Sequence, residues 1–161
     1  MAEMFAFCIA AAHLKLPHQM IDSMMISSIN ESGEGWALVD KIPIDGICEF
    51  GKHPQHDVYA VPSLIHYCQH YTVDDLSFYK RKMGKDFFTC ESPLLMVPSN
   101  EMVSKQLPAV NDADYQKNES RRKSHGFVLC ALLSALNDAA RYFKEHQCGV
   151  AGNLQESIRL R

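Results

Sequence analysis

Residues 124–146 read SHGFVLCALLSALNDAARYFKEH, and within them Val128, Leu132, Leu136, Ala139 and Phe143 recur at steps of three and four. A helix of 3.6 residues per turn returns to one face at that interval, so the five side chains share a side. Gly149 follows the periodic run and supplies a backbone free to turn left-handed after the last helical residue. The spacing therefore predicts a long helix over 124–146 whose apolar stripe must pack on the rest of the chain. Residues 150–161 have little apolar content and are expected to form a loose tail.

Towards the N-terminus, residues 3–14 are good helix formers, with Glu3 near the positive end of the helix dipole and Pro17 as a stop. Met24-Met25-Ile26 reads as a short buried strand, and the Ser-, Gly- and Glu-rich residues 30–35 as a loop leading to the lone Trp36. Gly46, Gly51 and Pro54, lying between Pro43 and Pro62, argue for irregular structure there. The apolar and β-branched run 61–67 predicts a buried strand that delivers His66 and Tyr67 to its end. Lys80, Arg81, Lys82 and Lys85 form a basic stretch, and Pro98 and Pro108 bracket a short segment of undefined type. There is no internal repeat.

The chain has 161 residues, 47% of them hydrophobic, enough for one core or for one half of a larger domain. Its 16 basic and 19 acidic residues leave a net charge of -3, which supplies no field for holding nucleic acid or an anionic membrane. The run 127–136 is too short to cross a bilayer. The run 4–12 imitates the apolar part of a signal peptide, but the only early charge is Glu3 and no basic residues precede it, so it reads as an ordinary helix.

Six cysteines (Cys8, Cys48, Cys68, Cys90, Cys130 and Cys148) contain no C-x-x-C pair, which removes zinc-ribbon and thioredoxin-like readings. An even count suits an oxidising compartment, yet Cys8 and Cys130 lie in apolar helical runs and read as free, buried thiols. The sequons Asn30-Glu31-Ser32 and Asn118-Glu119-Ser120 are expected on exposed loops and permit a secretory location.

Several segments, in order, resemble one group of proteins. They are Glu3-Met4-Phe5-Ala6-Phe7, Gly33-Glu34-Gly35-Trp36, Pro62-Ser63-Leu64-Ile65-His66-Tyr67-Cys68, Lys80-Arg81, Asp86-Phe87-Phe88-Thr89-Cys90-Glu91 and the run from Leu132 to Ala140. Together they resemble the C-terminal half of the plant and algal peptidyl serine α-galactosyltransferase and hydroxyproline O-arabinosyltransferase group, over roughly residues 3–148. The resemblance implies an α/β fold, the C-terminal part of a GT-A-like glycosyltransferase domain with few short strands, long irregular loops and a long C-terminal helix, over residues 1–148, followed by a tail at 149–161. It also implies a nucleotide sugar donor, a peptide or glycoprotein acceptor, a divalent metal, usually manganese, and work in the Golgi or endoplasmic reticulum lumen. The nucleotide-binding strand and Asp-x-Asp type motif of that group belong to an upstream half, so this portion alone is expected to transfer little or nothing. The alternative is a non-catalytic remnant or interaction module of the same fold.

Each candidate residue carries two readings. His66 would serve as the imidazole ligand of the metal, or else as a satisfied core residue. Lys80 and Arg81 would neutralise the donor diphosphate, Arg by a bidentate fork and Lys as a point charge, or else form a solvated basic turn. Glu3 would act at the reacting sugar, or else complement the helix dipole. Asp112-Ala113-Asp114 is an Asp-x-Asp string without a strand to position it, and reads as a decoy in a polar loop. His66 and His70 have H-x-x-x-H spacing without the glutamate of a zincin, on a segment that is not helical. His53 and His56 read as exposed polar residues.

Overall fold

The computed structural model describes residues 2–17, 24–29, 34–53, 61–67, 69–84, 87–105 and 112–160. In chain order the elements are α1 (Ala2–His13), β1 (Met25–Ile26), α2 (Trp36–Val39), α3 (Ile47–Lys52), β2 (Leu64–Ile65), β3 (Tyr71–Val73), β4 (Leu76–Phe78), β5 (Leu94–Leu95), α4 (Asn100–Ser104), α5 (Asp112–Phe143) and β6 (Ser157–Ile158). A π turn, Lys144–Cys148, prolongs α5. The strands pair as parallel β1–β2, antiparallel β3–β4 and parallel β5–β6, and among the described residues these ladders do not join into one sheet. The chain is thus a mixed α/β fold of few short strands and a long C-terminal helix.

Helix α5 begins twelve residues before its periodic part, at Asp112 rather than at residue 124. The Asp112-Ala113-Asp114 string and the sequon at Asn118, expected in loops, are therefore helical. Two aspartates in a first turn complement the helix dipole. The buried stripe of α5 comprises Arg122, Gly126, Leu129, Leu133, Asn137, Ala140 and Lys144. Its lower part lies one residue further on than the predicted stripe: Leu132, Leu136 and Phe143 are half-buried and Ala139 is exposed, although Val128 is buried.

The displacement has a physical cause, because three of the buried positions are polar and each is satisfied by main chain. The Asn137 amide donates to Leu95 O and accepts the Leu95 N–H, both at 2.8 Å, acting as a substitute strand along β5. Arg122 donates from Nε to Val103 O at 2.8 Å and from Nη2 to Met102 O, covering carbonyls at the end of α4, and pairs with Asp74 at 2.9 Å. The Lys144 ammonium, fully buried, donates to Thr89 O, Cys90 O and Ser92 O at 2.6, 3.1 and 2.6 Å. A buried charge persists only when hydrogen-bonded in this way.

Residues 44–52, expected to be irregular, form a 3-10 turn and then α3. Ile47 and Cys48 are buried there, and Cys48 is disulfide-bonded to Cys130 of α5. Cys90 pairs with Cys148. Cys130 is therefore not the free thiol its apolar surroundings suggested, while Cys8 is free but exposed on α1 rather than buried. Close approach of α4 to α5 depends on Gly126, where a Cβ would lie 2.4 Å from Val103 Cγ1. Trp36 is buried at the start of α2 and its Nε1–H donates to Ser28 O at 2.8 Å.

The expected strand at 61–67 is short and half open, with Leu64 exposed and Ile65 half-buried. The tail is not loose. Strand β6 pairs with β5, Ser77 N–H donates to Leu160 O at 2.8 Å, and Asn153 N–H to Cys90 O at 2.8 Å. The first sequon and His56 lie outside the described residues. No helix among the described residues is long and apolar enough to cross a membrane.

Candidate functional site

The β3–β4 hairpin builds the site. Asp74 opens its two-residue turn at φ 52, and the register pairs Tyr71 with Phe78, both buried. That register brings the residues flanking the open end, Gln69-His70 and Tyr79-Lys80-Arg81, alongside each other. His70 and Tyr79 meet edge to face with centroids 5.1 Å apart. The five residues line an open groove of about 490 Å³.

Neighbouring segments hold the walls. The Gln69 amide accepts the Ile29 N–H at 3.2 Å and donates to Ser28 Oγ at 2.8 Å, tying the groove to the segment after β1. Lys80 Nζ lies 5.8 Å from the centroid of the Tyr67 ring, which itself meets Phe78 edge to face. On the far strand, Thr72 N–H donates to His125 Nδ1 at 3.0 Å. Burial, then the charges of Arg121 and His70, push the His125 ring down to about 4, so it is neutral and able to accept that bond.

Lys80 and Arg81 are exposed, and among the described residues neither is in an ion pair. Two adjacent cations, an imidazole, an amide and a phenol around one opening suit an anion with several oxygens. The basic pair predicted from sequence is thus brought together with Gln69 and Tyr79, which sequence reading left aside, and with His70, which it weighed only as half of an H-x-x-x-H pair. A signal for them exists in the alternation of Tyr71-Thr72-Val73 and Leu76-Ser77-Phe78 about Asp74-Asp75, which sets 70 opposite 79.

The other candidates do not join this groove. His66 is exposed past the end of β2, where its N–H donates to Ile26 O at 2.8 Å, and it is not a lining residue. Glu3 lies near the start of α1, and its side chain is outside the described residues. Among the described residues no three His, Cys, Asp or Glu side chains converge in a way that holds a metal ion. One exposed imidazole is a poor donor set for manganese, which prefers several hard oxygens. No protein family, curated protein or solved structure matches the chain.

Proposed function

We propose that the chain is the donor-phosphate-binding, C-terminal portion of a GT-A-like glycosyltransferase acting on Ser or hydroxyproline of secreted glycoproteins. The observation that carries the reading is the groove in which Lys80 and Arg81 stand beside His70, Gln69 and Tyr79. Transfer from a nucleotide sugar leaves a nucleoside diphosphate, and cations fixed beside that leaving group stabilise the charge that grows on it. The resemblance points to the reaction class, and the exposed Lys80–Arg81 pair lining the groove supports an anion as its ligand. Two disulfides, Cys48–Cys130 and Cys90–Cys148, accord with folding in an oxidising lumen. The described donor set does not fit the expected manganese, so no step is assigned to a metal.

Calorimetric titration of the folded chain with a uridine diphosphate sugar tests the reading. Binding is expected to weaken about tenfold or more in the Lys80→Gln/Arg81→Gln double variant, since charge-assisted hydrogen bonds contribute roughly 1.5–3 kcal/mol each. It should also fall with added salt. Equal binding by wild type and double variant, or none by a folded wild type at millimolar donor, would sink it. A second reading, a phosphate-binding module without transferase chemistry, is favoured by the described lining residues, none of which is a carboxylate. Saturable binding of inorganic phosphate as tight as that of the uridine diphosphate sugar would select that second reading.

A further inference from the structure

A second concavity is lined in part by Met83 and Gly84, which follow the 3-10 turn Lys80–Lys82 in the chain. Met83, Phe87, Pro93, Leu95, Ile158 and Leu160 line a pocket of about 200 Å³. Its one side-chain hydroxyl, Ser92, is already committed: Oγ donates to Phe87 O and lies 3.3 Å from Lys144 Nζ. A water molecule needs two or more polar partners to be held, and the described lining residues offer no uncommitted side-chain group.

An apolar void of this size tends to close unless its walls are fixed. Here two of the walls are fixed by bonds. The Lys144 ammonium gathers Thr89 O, Cys90 O and Ser92 O, and the Cys90–Cys148 disulfide ties the same loop to the end of α5. The opposite wall is held by main chain: Met96 N–H donates to Ile158 O at 2.7 Å and Ser77 N–H to Leu160 O at 2.8 Å. Leu95 and Phe87 are buried, whereas Ile158 is 45% exposed and stands at the mouth.

We infer that this pocket is a binding site for a small, neutral, apolar group of about the size of a substituted benzene ring. An apolar cavity of about 150 Å³ is known to accept benzene, which sets the scale. Charged groups are disfavoured because, among the described lining residues, no free polar side chain offsets their desolvation. The site stands independently of the phosphate groove, since none of its lining residues is shared with it.

Toluene is the test ligand, added to the full chain while methyl resonances of Met83, Ile158 and Leu160 are followed. Saturable shifts at all three are expected, lost in Ile158→Trp, which fills the mouth from an exposed position, and retained in Lys80→Gln/Arg81→Gln. No saturable shift up to the solubility of toluene, or undiminished binding in a folded Ile158→Trp protein, overturns the assignment. Two further measurements do not depend on that variant folding. Benzylamine, the charged analogue, should not saturate the same methyls, and Met83→Ala should move the preference from toluene towards the larger propylbenzene. Equal binding of benzylamine, or an unchanged ranking of the two hydrocarbons, also overturns it.

Discussion

Replacing His125 by Gln is expected to flatten the acid limb of the stability curve. The ring is buried on α5, accepts the Thr72 N–H at Nδ1 and meets Tyr71 edge to face at 6.0 Å. Its folded pKa is depressed from 6.5 to about 4, chiefly by burial and then by Arg121 and His70. Between those two values the unfolded chain binds a proton that the folded chain refuses. Stability is therefore complete above the unfolded pKa and is lost as pH falls towards the folded one. At 1.36 kcal/mol per pKa unit the whole gap is worth about 3 kcal/mol, of which about 2 kcal/mol is lost between about pH 7 and about pH 5. Gln keeps an amide oxygen to accept from Thr72 but does not titrate. Urea unfolding of both proteins at those two pH values reads the effect, and the carboxylates common to both cancel in the difference. An equal loss in wild type and His125→Gln would refute the reasoning.

Three other substitutions probe the packing around α5. Gly126→Ala should destabilise by about 1–3 kcal/mol in thermal unfolding, because the added Cβ meets Val103 at 2.4 Å and that overlap outweighs the helix-propensity gain of about 1 kcal/mol. Lys144→Met should cost about 3 kcal/mol or more by urea unfolding, since three carbonyls lose their donor at roughly 1–3 kcal/mol each. Replacing Cys90 and Cys148 together by Ser should lower stability by about 4 kcal/mol on the chain-entropy estimate for a separation of 58 residues, read in the same denaturant assay.

Parts of this architecture are legible in residue spacing alone. Helix α1 with its stop near Pro17, the strand at Met25 and the end of the last helical run near Gly149 all follow from local rules, and local rules sufficed there. The buried face of α5 escaped them because Arg122, Asn137 and Lys144 occupy it, and an apolar-periodicity reading discounts polar residues whose partners are distant main-chain groups. Helix α3 escaped because glycines and prolines crowd its neighbourhood, while its stability comes from packing Ile47 and Cys48 in the core and from the bond to Cys130. The tail was misjudged for the same reason: few apolar residues, yet a strand's worth of main-chain bonds to β5 and β4. Within the groove, Lys80 and Arg81 are legible as adjacent cations. Gln69, His70 and Tyr79 become legible only once the alternation about Asp74-Asp75 is read as a hairpin, because its register places them opposite. His66 drew attention by its position after an apolar run, but the run proves short and half open and leaves the imidazole exposed.

Amide shift mapping with uridine diphosphate and with uridine tests the central claim most directly. If the groove receives the donor's diphosphate, the nucleotide should perturb Gln69, His70, Tyr79, Lys80 and Arg81 in a saturable manner, and the nucleoside, lacking phosphates, should leave them unmoved. Equal perturbation by both, or shifts confined to other parts of the chain, would contradict it.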